Sequence, residues 1–116
     1  MLDSTTLARA IFDAMGDKQA EDLVLLDIRP VSIITDYFVI GTAGSARQLR
    51  AVVESVEEQV RETLGVKPIS IDGAFDSGWV LVDYGDVIVH VFAPDQRAFY
   101  QLEALWNEAP LVARMA

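Results

Sequence analysis

The stretch from Trp79 to Phe92 constrains the fold more than any other part of the chain. Two valine-rich runs, Trp79 to Tyr84 and Val87 to Phe92, flank Gly85-Asp86. Two residues of that type between such runs predict a tight antiparallel hairpin. Side chains alternate along a strand, so the hairpin divides by face. With Gly85 and Asp86 in the turn, Tyr84 pairs with Val87, Val82 with Val89 and Val80 with Val91. That face is nearly all valine and belongs under helices. The other face pairs Asp83 with Ile88, Leu81 with His90 and Trp79 with Phe92. An aromatic and aliphatic surface edged by polar groups is what a protein-binding hot spot requires. A helix covering this face would instead make Trp79 and Phe92 ordinary core. The pattern leaves both readings open.

The remaining elements follow from periodicity and breakers. Leu7, Ile11, Ala14 and Met15 recur at helical spacing and predict a helix from about Thr5 to Met15, capped by Ser4 and ended by Gly16. Asp22 to Ile28 is apolar on both faces, as in a strand buried on two sides, and Pro30 ends it. A second strand, Tyr37 to Gly41, follows Thr35-Asp36. Ser45 opens the longest helix, with Gln48 three residues on as in a capping box, and Gly65 closes it. Its apolar stripe is Leu49, Val52, Val53, Val56, Val60 and Leu64. Val66 to Ile71 is a short strand that Pro68 confines to an edge. After the hairpin, Gln96 to about Glu108 forms the last helix, in which Phe99, Leu102 and Trp106 share a side, and Pro110 stops it. Leu102 and Phe99 read as core-facing, and Trp106 as the better surface anchor. The order is αββαβββα. It predicts a single α+β domain over residues 1–116, with a mixed β-sheet and helices mainly on one face.

Charge and cysteine content narrow the function. Nine Lys and Arg stand against eighteen acids, a formal net charge of -9, and the bases do not cluster. Backbone-directed nucleic-acid binding, which needs a basic stripe, is not the expected main function. An acidic chain is steered toward basic protein partners, although the same charge serves solubility alone. With no cysteine, disulfides and thiol chemistry are excluded, and the usual structural zinc sites are not expected. No apolar run approaches membrane-spanning length. Met1 to Met15 has the charge pattern of neither a signal nor a transit peptide, so a cytoplasmic location is expected.

Each candidate for chemistry has a plainer structural role. A lone strand histidine such as His90 is more often a hydrogen-bonded structural residue than a catalyst, and no metal-ligand spacing surrounds it. Asp86 fits a turn former and Asp83 a polar edge residue. Thr35-Asp36 is open to a carboxylate site, a cap or a turn. Gly41-Thr42-Ala43-Gly44-Ser45 precedes a helix, as phosphate loops do, but lacks the lysine and spacing of a P-loop. No catalytic residue, cofactor or metal is expected.

Taken together, several strings resemble the Iojap-like ribosomal silencing factors. They are Thr35-Asp36-Tyr37-Phe38-Val39-Ile40, Ser45-Ala46-Arg47-Gln48, the run from Gly78 to Asp86, Val89-His90-Val91-Phe92, and the run from Arg97 to Trp106. The resemblance extends from the first helix to Trp106. It implies a protein that binds the fourteenth protein of the large ribosomal subunit, where the small subunit docks. Such binding blocks subunit joining and lowers translation when nutrients are scarce. It also implies a homodimer off the ribosome. The docking residues expected on this basis are Trp79, Leu81, Asp83, His90 and Phe92, with Tyr84 and Trp106 as contributors. The family's fold is similar to that of nucleotidyltransferases, which keeps a nucleotide-binding enzyme as an alternative. Gly44-Ser45 mimics part of that motif, but Ile71-Asp72-Gly73-Ala74 lacks its paired carboxylates and Asp83-Tyr84-Gly85-Asp86 has the wrong spacing. A dimeric adaptor for another basic protein is the third class.

Overall fold

Ten elements run along residues 2–116, which the computed structural model describes. They are α1 (Ser4–Asp17), β1 (Glu21–Asp27), β2 (Tyr37–Thr42), α2 (Ala46–Leu64), β3 (Ser70–Asp72), β4 (Trp79–Asp83), β5 (Val87–Phe92), α3 (Pro94–Tyr100), α4 (Leu102–Leu105) and β6 (Leu111–Met115). The strands form one sheet in the order β3-β4-β5-β2-β1-β6. β2 and β5 are parallel, and every other neighbouring pair is antiparallel. The sheet is therefore mixed and the fold α+β, as expected. No helix among the described residues is long and apolar enough to cross a membrane.

Amphipathic spacing places the two long helices together on one face. Leu7, Ile11 and Met15 of α1 and Leu49, Val52, Val53, Val56 and Val60 of α2 are buried there. They pack on Leu23 and Leu25 of β1, Val39 of β2 and the valines of the hairpin. Burying a valine fully contributes roughly 1.5–3 kcal/mol, so this layer holds most of the apolar stabilisation. The hairpin register is the expected one, with Val80 opposite Val91, Val82 opposite Val89 and Trp79 opposite Phe92. The capping pattern at Ser45 also forms. Its side chain accepts from the Gln48 amide at 3.1 Å, and Gln48 Oε1 accepts from the Gly44 amide at 2.7 Å. Gly65 ends α2 with φ +70°.

The ends of the chain depart from expectation. Asp3, not Ser4, caps α1, accepting from the Thr6 amide at 2.7 Å. Gly16 does not stop α1 but lies in its last turn. Its missing side chain leaves room for Met115 of β6, whose sulfur would stand 3.1 Å from a Cβ there. Strand β6 itself was not foreseen beyond Pro110. It pairs with β1, Leu25 opposite Ala113 and Leu23 opposite Met115, and so makes β1 an interior strand. The last helix is not continuous either. Gln101 adopts φ 46° and ψ 49° and separates α3 from α4. This left-handed residue turns the two helical faces apart. Phe99, expected toward the core, is 78% exposed, whereas Leu102 packs against the second face of the sheet.

Candidate protein-docking site

The face opposite α1 and α2 holds a second, smaller cluster. Val24 and Leu26 of β1, Ile28, Phe38 and Ile40 of β2, Phe92 of β5 and Ala109 form it, with Trp79, Ile88, Leu102 and Trp106 packed around them. α3 and α4 cover one part and leave another open. Neither helix contributes a fully buried residue, so the cover is thin.

Trp79 sits where the cover ends, delivered by the loop of residues 73–78. Gly73 has φ +98°, and any Cβ there would run into the Trp79 carbonyl. The Gly78 carbonyl accepts from the Ala93 amide at 2.8 Å, and the Ser77 hydroxyl donates to the Ala74 carbonyl at 2.6 Å. These bonds set the start of β4. The Trp79 ring then stacks on Phe92, with centroids 5.0 Å apart, and meets Tyr100 at 4.6 Å. Its indole Nε1–H donates to Nδ1 of His90 at 3.3 Å.

His90 is only 4% exposed. It lies nearly parallel to Phe92 at 6.1 Å and perpendicular to Phe38 at 4.9 Å; Phe38 in turn meets Trp106 edge-on at 5.3 Å. Burial pushes the imidazole pKa down to about 4, so the ring is neutral at neutral pH. An indole nitrogen only donates, so Nδ1 must be bare and the proton sits on Nε2. That Nε2 is buried without a hydrogen-bond partner among the described residues.

Beyond this ring system the sheet is open. Trp79, Leu81, Asp83 and Ile88 are half-buried. Leu81 stands opposite His90 and Asp72, and Asp83 opposite Ile88 and Ser70. Asp72 and Asp86 are exposed at the margin. The result is an apolar strip with an acidic border. It combines hydrophobic contact area with negative charge on one surface, the make-up of a protein-binding face.

Comparison with known proteins agrees along almost the whole chain. Residues 2–115 match the family described as ribosomal silencing factor during starvation. The chain belongs to that family. A Bacillus subtilis protein named ribosomal silencing factor RsfS is 43% identical over 98 residues, covering 84% of this chain and 82% of that one. A crystal structure of a Chromobacterium violaceum protein superposes with a TM-score of 0.86 at 32% identity, over 91% of this chain and 88% of the other. A mouse relative, 32% identical over 95 residues, is named for mitochondrial assembly of the ribosomal large subunit; the match covers 80% of this chain and 42% of the mouse protein.

Within this fold the seven expected docking residues take four different positions. Trp79, Leu81 and Asp83 lie together on the open strip, as alternation required. His90 and Phe92 share their face but are closed to solvent, Phe92 at 0% exposure, because Trp79 lies over them. They underlie the strip and present almost no surface of their own. Trp106 is half-buried against Phe38, on the α4 side of the same face. Tyr84 is a correction. It is 7% exposed and belongs to the valine layer beneath α1 and α2, since it is one residue out of phase with Asp83. Ile88 was not singled out as a docking residue, although its pairing with Asp83 placed it on the strip.

Thr35 and Asp36 serve as a latch in the silencing factor fold. The Thr35 hydroxyl donates to the Gly85 carbonyl at 3.0 Å, and the Asp36 amide to the Asp86 carbonyl at 2.9 Å. They tie the approach to β2 onto the hairpin turn. Asp83 accepts from the Gly85 amide at 2.7 Å, the bond of a turn-forming side chain.

Proposed function

We propose that this family member silences large ribosomal subunits by occlusion, acting as a single domain in a bacterial cytoplasm. It docks on the fourteenth protein of the large subunit, covers the surface that receives the small subunit, and so represses translation when nutrients are limiting. The observation that carries the reading is the open strip of Trp79, Leu81 and Ile88 bordered by Asp72, Asp83 and Asp86. Family membership supplies the ribosome as target, and a net charge of -9 suits a basic partner. Steric exclusion requires no bond to be made or broken, so the reading assigns no catalytic residue, metal or cofactor. Off the ribosome the same strip offers a face to a second copy. Trp79→Asp would break a dimer formed there and leave a dimer on another face intact.

Co-sedimentation with separated ribosomal subunits, followed by a subunit-joining assay, tests the proposal. Selective binding to large subunits with fewer joined ribosomes is the expected result. Binding without loss of joining would remove occlusion from the reading. No binding to active large subunits would overturn it and return the nucleotide-binding alternative, read by a nucleotide screen.

A further inference from the structure

We propose that His90 is a positioning residue for the docking strip, its Nδ1 holding the Trp79 indole N–H so that the anchor ring is set before a partner arrives. The inference rests on the docking reading above. It starts from a chemical mismatch. Trp79 is the largest side chain on the strip and carries one polar atom, the indole N–H. Left to solvent, that group gives the ring a reason to swing away from the sheet. Directed inward, it needs a buried acceptor, and neither its cross-strand partner Phe92 nor Leu81, two residues along β4, has a side-chain acceptor to offer. His90 supplies one at 3.3 Å.

Histidine also meets the packing requirement. Its ring lies within 10° of parallel to Phe92 and stands across Phe38, so it fills an aromatic layer while presenting a lone pair. Phenylalanine would fill the layer without the lone pair. Glutamine would keep an acceptor with poorer packing. The neutral state that acceptance requires is the one that burial enforces. The second ring nitrogen is left buried and unpartnered, a cost that a merely space-filling residue would not incur. An anchor fixed in advance loses less conformational entropy on binding, which strengthens affinity without adding a contact.

The test combines nuclear magnetic resonance of the indole and imidazole nitrogens with large-subunit binding. In the wild-type protein the Trp79 indole N–H is expected to exchange slowly with solvent. The His90 ring is expected as the tautomer with its proton on Nε2. Free exchange of that indole, or a proton on Nδ1, overturns the proposal without any variant. In His90→Phe the Trp79 signal should lose its protection while exchange of the Trp106 signal stays unchanged, and affinity should fall about tenfold. His90→Gln should recover part of both. In a Trp79→Phe background, which has no indole N–H, His90→Phe should weaken binding little further. A folded His90→Phe protein with full affinity, or losses that simply add, would show His90 to be structural only. Trp79→Ala separates the two levels. If it weakens binding while His90→Phe does not, docking stands and positioning falls. If folded Trp79→Ala binds fully, the strip is not the docking surface and both fall.

Discussion

The Arg97 guanidinium donates to the Thr42 hydroxyl at 2.7 Å, joining α3 to the end of β2 across 55 positions of sequence. The same group donates through Nε to Glu103 at 2.8 Å, on the far side of the left-handed residue Gln101. One planar cation therefore holds α3, α4 and β2 in a fixed relation. This matters because neither short helix buries a residue fully, while Tyr100 of α3 and Trp106, just past α4, flank the aromatic cluster.

Arg97→Ala is expected to destabilise the fold by about 2 kcal/mol, the range for hydrogen bonds to a charged group. Lysine should rescue little, since a point charge cannot make both bonds at the guanidinium's spread. Urea denaturation reads the stability, and Trp79 fluorescence in a Trp106→Phe background reads the loosening of Tyr100 from the indole. An unchanged midpoint for Arg97→Ala would show that packing alone holds the cover.

Gly41 stands where α1, β1 and β2 meet. A Cβ on it would lie 2.6 Å from the Met15 methyl and 2.9 Å from a Leu23 methyl. Both neighbours are fully buried and cannot withdraw into solvent. Gly41→Ala is therefore expected to cost roughly 1–3 kcal/mol, as overpacking of a filled core does. Thermal unfolding checks it, and a neutral result would mean that the end of α1 can shift outward.

How far such features were legible depends on their range. Alternation in Trp79–Phe92 determined the hairpin register, because slipping by one residue would turn every valine to solvent. The α2 stripe and its caps were equally local. Strand β6 was not legible, because Leu111–Met115 is short, mostly exposed and defined only by its pairing with β1. The break at Gln101 was hidden as well. Nothing in Phe99-Tyr100-Gln101-Leu102 forbids a helix, and the bond from Arg97 to Thr42 that accompanies the break is tertiary. For the site, the period-two pattern separated Leu81 from Val82, but it could not show that Trp79 would close over His90 and Phe92.

Tyr84→Phe should leave stability unchanged or raise it by about 1 kcal/mol near neutral pH. Its hydroxyl is buried without a partner among the described residues, so deletion removes an uncompensated desolvation cost. Burial, assisted by nearby Glu57, pushes the phenol up to about 12 from 10.0. Between those values the unfolded chain releases the phenolic proton and the folded chain keeps it, so wild-type stability relative to Tyr84→Phe is level below pH 10 and falls as pH rises toward 12. Comparing denaturation of the two proteins across that window isolates the phenol, and equal slopes would contradict its burial.

Association should depend on salt more than dissociation does. The strip is bordered by Asp72, Asp83 and Asp86 on a chain of net charge -9. Border charges act mainly during diffusional approach, and the Debye length falls from roughly 30 Å at ~0.01 M salt to about 8 Å at ~0.15 M. Stopped-flow or surface binding to large subunits should show kon falling several-fold over that range while koff changes little. A salt-independent kon would mean that the acids do not face the partner.

His90 makes the fold sensitive to mild acid. Its folded pKa, depressed by burial to about 4, lies below the ordinary imidazole value of 6.5. Between those values the unfolded chain binds the proton and the folded chain does not. Stability is therefore full above pH 6.5 and is lost as pH falls through the window to about 4. The displacement corresponds to roughly 3 kcal/mol at the acid end. Protonation also removes the lone pair that accepts from Trp79, so the anchor and the core weaken together. Denaturant titrations of the wild-type protein and His90→Gln at intervals from pH 7 to pH 4 measure the effect by difference, which cancels the carboxylates common to both. The variant should show the shallower loss. Parallel curves would mean that His90 takes up its proton without leaving the folded state, and that the aromatic layer admits water.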